Sequence, residues 1–325
     1  SRTTLFTEDD IGKSKAEVAA QRANELALHE NPEFVGLNGK IEDFGAGFFC
    51  DHDIIISCVD VESARAYIND WCVILSKPFF EMGFRDFRVS ISFFNATDKN
   101  SPCLRSWIGQ GERDGKRNSC SGLKMKDQNL EHIPTIQVAA AMAGVLIATE
   151  LVKFIEGTAT LLNKTLMYNG RDHSMMILEN KKSRNCFIHE KTGMKVVEST
   201  LTANHSVKEI LESLKNGHNK QYFLKFPQEF VVSASCRSCG KNMIIQKRKS
   251  KLYHEDLWCA ECREETHMKD SVNAAPEILN ELIPVNPVHK SFLEKPLDNF
   301  GYLKNDLIEI ESLDGSEQFL VKIEN

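Results

Sequence analysis

Four cysteines constrain this chain more than any other feature. Cys236 and Cys239 form one CxxC pair, and Cys259 and Cys262 form a second a short span later. Two thiolates three residues apart can bite one ion, and a second pair returned by a hairpin completes a tetrahedral sulfur shell suited to Zn²⁺. Gly240, directly after the second cysteine, permits the tight turn such a site needs. Four sulfur ligands leave no open position, so the expected zinc holds residues 230–268 together and does no chemistry. Four reduced thiols in a small core are the rival reading, and the doubled spacing disfavours it. Between the pairs, Lys247-Arg-Lys-Ser-Lys251 with Tyr253 and Trp258 could meet nucleic acid or an acidic partner. A solvated hairpin tip is the simpler account.

Hydrophobic residues make up 42% of the chain and charged residues 26%, as in ordinary globular proteins. The net charge of −6 argues against a dedicated nucleic-acid binder. The longest apolar run, 138–152, contains Thr149 and Glu150 and is too short to span a bilayer, so no membrane role is expected. Ten cysteines with no charged-then-apolar leader point to a reducing, cytoplasmic setting.

Elsewhere helices and strands alternate. Residues 13–30 fit a helix, with Gly12 and Ser14 at its start and Asn31-Pro32 at its end. Residues 34–41 fit a strand. DIIISC, residues 53–58, is an isoleucine run bounded by polar residues, as in a strand buried on both faces. A helix over 61–75 and strands over 79–84 and 87–94 follow, and strand–helix–strand at this spacing signals an open α/β sheet. The pattern lapses over 95–131, rich in Gly, Ser, Asn and charge, which at that length marks a functional or disordered segment. It resumes over 134–155 in an Ala-rich helix, apolar on most faces and so expected to be buried. A helix over 207–215 and a terminal hairpin turning at Asp314-Gly315 complete the reading.

Several of these segments carry ordered motifs. Arg2 stands thirteen residues before Lys15, and DIGxxK opens the first helix. Asn31-Pro32 ends that helix, Ser57-Cys-Val-Asp60 ends the buried strand, and Arg65 and Asn69 follow. The 134–155 helix carries Ala148-Thr-Glu150 and Lys153. In this order the motifs resemble the ThiF/MoeB/HesA family of ubiquitin-activating-enzyme-like adenylyltransferases, with its NP, DCTDN and QATEALK elements. The resemblance covers about residues 1–180. It implies a Rossmann-like α/β adenylation domain over 1–180, then a small α+β segment (181–229), the zinc ribbon (230–268) and a β-rich module (269–325). It also implies ATP and Mg²⁺ as cofactors: Arg2 and Lys15 at the phosphates, Arg65 beside them, and Asp60 on the magnesium.

Physical chemistry agrees with that set. A carboxylate attacking the α-phosphate of ATP passes through a transition state richer in negative charge, which cations stabilise. Asp60 lies at the carboxyl end of a buried strand, where α/β sheets place ligand chemistry, and Mg²⁺ is held by few carboxylates. Taken singly, Lys15 is a surface helix residue and Asp60 an N-cap for the helix that follows. The family's GxGxxG loop, whose N–H groups cradle phosphates, is expected a few dozen residues before Arg2. The chain therefore reads as the C-terminal part of such a domain, its site completed from upstream. Val61 stands where the family has asparagine.

Cys120 sits among Arg113, Lys116, Arg117, Lys124 and Lys126, cations that lower a thiol's pKa. Its place matches the crossover-loop cysteine that, in activating enzymes, takes the adenylated tail as a thioester or works in persulfide chemistry. A free surface cysteine is the alternative. Cys103-Leu-Arg-Ser106 resembles the family's PCYRC, whose cysteines bind zinc with a distal CxxC. Ser106 breaks that set and leaves Cys103 a spare thiol and a weaker rival nucleophile. Cys50, Cys58, Cys72 and Cys186 read as packed thiols. The expected function is activation of a ubiquitin-like protein: C-terminal adenylation, thioester formation on Cys120, then transfer to a conjugating enzyme. The rivals are a sulfur-carrier-protein adenylyltransferase and a catalytically inactive, zinc-stabilised binding module. Expected partners are the ubiquitin-like or sulfur-carrier protein, the conjugating enzyme, and a second copy in a homodimer.

Overall fold

A phenylalanine-rich hairpin organises the first half of the molecule. In the computed structural model, β2 (Pro78–Arg85) and β3 (Arg88–Asn95) pair antiparallel from Pro78↔Asn95 to Arg85↔Arg88. The structure describes residues 5–28, 33–98, 100–107, 136–184, 186–215, 220–248, 252–262 and 274–324; Arg2, Asn31-Pro32 and Cys120 lie outside them. Successive side chains on a strand point to opposite faces. Phe79 and Phe94 therefore meet one layer, and Phe80 and Phe93, stacked at 4.1 Å, meet the other.

The first layer is α2 (Glu62–Ile74), which buries Tyr67, Ile68, Trp71 and Cys72 against Phe79 and Phe94. It links β1 (Ile55–Ser57) to β2, and the two strands run parallel with Ile55 opposite Phe79. This is the expected strand–helix–strand unit, but β1 is the edge strand of its sheet and is not buried on both faces: Ile56 is 42% exposed. Beyond it β4 (Lys164–Asn169) and β5 (Ser174–Glu179) extend the sheet antiparallel in the order β1-β2-β3-β4-β5; a short turn joins β4 to β5, whereas the chain from β3 to β4 passes through α4. The short α3 (Leu104–Trp107) lies beside α2.

The second layer is α4 (Gln137–Ile155), whose Ala139, Ala143 and Ile147 pack on Phe80, Val89, Ile91 and Phe93. The sequence pattern predicts burial on most faces, but the sheet covers only one side of the helix. Val138, Val145, Val152 and Ile155 remain exposed. By length and composition α4 is long and apolar enough to cross a membrane, yet its inner face and Glu150 are sunk against protein.

The segment 34–41 also departs from expectation: it forms no strand. Asn24 of α1 (Lys15–Leu26) brackets Phe34, donating to its carbonyl at 2.8 Å and accepting from its N–H at 3.0 Å. Gly36 lies so close to the helix that an added Cβ would fall 2.3 Å from the Ala16 oxygen. The Phe34 backbone groups thus bond to a helix side chain instead of a sheet, and Gly36 packs on the same helix.

A second sheet gathers everything after residue 195. Its order is β6 (Val196–Thr202), β11 (Gln318–Glu324), β10 (Leu307–Ser312), β7 (Tyr222–Cys236) and β8 (Asn242–Arg248), with β9 (Ala274–Leu282) also on β7. The three segments distinguished after residue 180 thus share one sheet, and the cysteine-bearing hairpin β7–β8 grows out of it. The terminal hairpin β10–β11 forms as the alternation predicts, turning at Asp314-Gly315. α5 (Val207–Ser213), closed by a Ser206–Glu209 capping box, buries Val207, Ile210 and Leu211 on this sheet.

The two sheets meet at Asp306. One carboxylate oxygen accepts from the Ala46 N–H at 2.9 Å, the other from Arg248 at 2.9 Å and the Leu303 N–H at 3.3 Å. Beside it the Gly47 N–H donates to the Asn305 carbonyl at 2.6 Å, and a Cβ at Gly47 would lie 2.2 Å from that oxygen. Leu307 and Leu320 of the second sheet enter the core around Phe49 and Trp71. Replacing Asp306 by Ala leaves the buried Arg248 without its counter-charge. We expect a loss of about 3 kcal/mol, read as a lower urea midpoint at unchanged slope.

Candidate functional site

The loop from β1 to α2 presents Asp60. The helix N-cap is Val61, with no side-chain capping bond, so Asp60 does not cap α2 as its position suggests. It is exposed at the carboxyl end of β1, and among the described residues no hydrogen bond or ion pair engages its carboxylate.

Arg65 is placed differently. Its Nε donates to the Val59 carbonyl at 2.9 Å, one terminal nitrogen pairs with Glu81 at 3.1 Å, and the other reaches the Met82 carbonyl at 3.5 Å. The guanidinium thereby clamps the β1–α2 loop to β2, and a phosphate would compete with Glu81 for it. Burial pushes the Glu81 carboxyl up and Arg65 opposes the shift. Sequence reasoning passed over Glu81, although a lone carboxylate inside FFEMGF was a readable signal. Asn69 is buried, and its side-chain oxygen accepts from the Leu104 N–H at 2.8 Å. Asp70 beside it pairs with Arg105 at 2.7 Å. Both residues hold α3.

Lys15 is the first residue of α1 and exposed; the Ser14 side chain caps that helix by accepting from the Glu17 N–H. A cation at this positive end opposes the helix dipole, a placement that favours an anion there. The groove along α1, lined by Ala20, Gln21, Asn24, Phe34 and Gly36, includes neither Lys15 nor Asp60. No hydrogen bond or ion pair among the described residues joins Lys15, Asp60 and Arg65.

Glu150 has a structural task. Its carboxylate accepts from the N–H groups of Thr160 and Leu161, each at 2.5 Å, and from Lys153 at 2.8 Å. Burial raises its pKa, but these bonds outweigh that effect and hold it below the usual carboxylate range.

The four cysteines converge. All four Sγ atoms lie within 4.8 Å of one another, with Cys236–Cys262 at 3.9 Å and Cys239–Cys259 at 3.7 Å. A tetrahedral ion with Zn–S bonds of about 2.3 Å has S···S edges of about 3.8 Å, so the donor set fits zinc. The N–H groups of Cys239 and Ser238 donate to the Cys236 sulfur and bring its thiol down to about 7, favouring the thiolate that metal requires. Gly240, at φ 73°, makes the turn. In the basic run beyond, Lys247 pairs with Asp256 and Arg248 with Asp306, while Lys249 and Lys251 lie outside the described residues.

A second cluster corrects the reading of Cys103 as a spare thiol. Cys103 and Cys186 are 1% and 5% exposed, with their sulfurs 3.7 Å apart, and His189 completes a set within 4.8 Å. Ser106 stays in the group, 3.6 Å from Cys103 and 3.3 Å from His189 Nε2. Hydrogen bonding from Cys103 and His189 draws the Cys186 thiol down to about 4, and the same Cys103–Cys186 bond pushes Cys103 up. At 1% exposure Cys103 is packed among Cys186, Ser106 and His189, a setting that suits a structural thiol better than an accessible nucleophile. The signal for this cluster was the spacing Cys186-x-x-His189.

Comparison with known proteins places these features. The ThiF family model matches residues 1–188. SUMO-activating enzyme subunit 2 of Dictyostelium discoideum is 29% identical over 85 residues, 26% of this chain and 13% of that protein. The NEDD8-activating enzyme E1 catalytic subunit of Caenorhabditis elegans is 41% identical over 69 residues, 21% of this chain and 16% of that protein. The chain thus spans a small part of these curated relatives. The crystal structure of E. coli MccB with MccA-N7isoAsn aligns at a TM-score of 0.46 and 21% identity, covering 57% of this chain and 54% of that one.

The role of Glu150 is open to test by Glu150→Gln. A stability loss of about 2 kcal/mol is expected at neutral pH. Because the folded pKa is depressed, the carboxylate stabilises above its unfolded value of about 4.3 and less as pH falls through the folded one. Urea titrations of parent and variant should therefore converge in acid. A gap that persists there would show that charge is not the cause.

Proposed function

Because the chain belongs to the ThiF family, we propose that it acts in the ATP-dependent adenylation of a C-terminal carboxylate on a ubiquitin-like protein. The observation that carries this reading is Asp60. An exposed carboxylate just past the carboxyl end of β1, with no cap or ion pair to serve among the described residues, suits Mg²⁺ beside a nucleotide. Lys15, without an ion-pair partner among the described residues at the start of α1, supplies a cation for the phosphates, with Arg2 as its companion. Arg65, paired with Glu81, fixes the loop that carries Asp60.

In the first step a carboxylate oxygen of the carrier attacks the α-phosphorus of ATP. The bond to the β,γ-phosphates breaks, giving an acyl-adenylate and pyrophosphate. In the second, the Cys120 thiolate attacks the acyl carbon, and AMP departs with the electrons of the broken bond, leaving a thioester. Transfer of the acyl group to a conjugating enzyme follows, and the C-terminal segment from about residue 270 is the part we assign to docking it. The Cys236–Cys262 set holds structural zinc at the root of that sheet. The free thiols of the chain suit the cytoplasm.

ATP–pyrophosphate exchange with a candidate carrier tests the first step. Asp60→Ala should lower exchange about 100-fold or more, and exchange that survives it removes the metal assignment. Cys120→Ala should leave exchange intact but abolish the reductant-labile carrier adduct; an adduct that persists assigns the thioester to another residue. Metal analysis should find zinc lost from Cys239→Ser.

A further inference from the structure

Glu81 and Glu150 are sunk to the same depth, each side chain 4% exposed, but the protein treats them in opposite ways. Glu150 receives two backbone N–H groups and Lys153, and its pKa is lowered. Glu81 has a single cation beside it. The Arg65 nitrogen lies 3.1 Å from Glu81 Oε1, yet that oxygen accepts no hydrogen bond among the described residues. Burial pushes the Glu81 carboxyl up, and Arg65 only opposes the shift. An ionised carboxylate so poorly supplied with donors lies close in energy to its neutral acid.

Its neighbours do not make up the deficit. In the register of the sheet, Ser57 of β1 stands opposite Glu81 on one side and Ser92 of β3 on the other, both buried. Ser92 is bonded to Thr165 at 2.7 Å, and the Ser57 hydroxyl has no partner among the described residues. Neither serine titrates. The charged or titratable groups that act on Glu81 are Arg65 from α2 and Cys58 from the β1–α2 loop, whose own thiol is pushed up by burial and by Glu81. The helix α4 packs on the other face, against Phe80 and Met82. Arg65 is one-quarter exposed, and its Nε holds the carbonyl of Val59, the residue before Asp60. Paired with Glu81 it forms a neutral unit, so little positive field reaches the Asp60 loop from it.

Granted the nucleotide site assigned to Asp60, on which this rests, we propose that nucleotide binding is coupled to uptake of a proton by Glu81. The proton comes from solvent and adds to a carboxylate oxygen; no other covalent bond forms or breaks. Phosphates beside Asp60 bring negative charge next to the Arg65–Glu81 pair, and a like charge disfavours the ionised carboxylate. Once Glu81 is neutral, Arg65 stands as a net positive charge behind the loop, and the new O–H faces the unpartnered Ser57 hydroxyl. Glu81 is then a positioning residue whose charge the nucleotide resets. The coupling is reciprocal, so nucleotide binds more tightly as pH falls. That dependence is confined to the window between two pKa values of Glu81. Below that of the free protein Glu81 is already neutral, and above that of the bound protein it stays ionised.

Calorimetry of Mg²⁺–ATP binding to the intact protein, in buffers of different ionisation enthalpy, counts the protons without any need for turnover. The parent should take up more than Glu81→Gln, which keeps the shape of the acid and cannot ionise; the nucleotide's own protons cancel in the comparison. The variant should bind at least as tightly as the parent, the gap growing toward alkaline pH by up to about tenfold per unit inside the window. A residue that merely braces the loop gives the reverse, weaker binding in the variant at every pH. That result overturns the proposal, and so do equal proton counts. If Glu81→Gln does not fold, infrared difference spectra of the parent replace it: a protonated-carboxyl band should grow in when Mg²⁺–ATP is added, and its absence overturns the coupling. Binding without proton uptake removes the coupling alone, whereas a parent that binds no Mg²⁺–ATP removes the adenylation reading with it.

Discussion

One carboxylate joins the halves of this molecule. Asp306 receives the Ala46 N–H from the first half and the Arg248 guanidinium from the cysteine-bearing hairpin. A buried ion pair of this kind gains little net stability over an apolar pair, but losing one partner is costly. Its effect here is to fix position. Arg248 ends β8, the strand whose other end adjoins Cys239, and Ala46 opens the helical turn that buries Phe49 beneath α2. The metal-ligand hairpin and the helix behind the Asp60 loop are therefore parts of one framework.

Within that framework the candidate site is held by residues whose polar groups are engaged with the protein itself. Arg65 spends its donors on Val59, Glu81 and Met82, and Asn69 and Asp70 hold α3, the last described element before residues 108–135. Glu150 ties the loop after α4 to the helix through two backbone N–H groups. A motif series that resembles a catalytic signature thus divides into clamps and presenters, and only the presenters stand in solvent.

How far the sequence disclosed this follows from the range of each interaction. The Cys₄ set was legible because its ligands fall in two short repeats, and β1, α2 and β2 because isoleucine runs and helical spacing are local signals. The Cys103–Cys186–His189 cluster was not, since its two parts lie 83 residues apart and Ser106 stands where a cysteine was sought. Residues 34–41 have the composition of a strand, but Asn24 and the packing of Gly36 claim their backbone for α1. The helix α4 has an apolar composition all round, and composition alone does not tell which faces the fold provides with neighbours. Arg2 and Cys120 lie outside the described residues, so their part rests on sequence alone.

The contrast between Glu150 and Asp60 has an evolutionary consequence. A lineage that abandoned nucleotide chemistry would still keep Glu150, because losing it would loosen the fold. Asp60 has no such protection: among the described residues nothing structural leans on it. Its persistence or decay among descendants would therefore record selection on its exposed carboxylate and not on the fold.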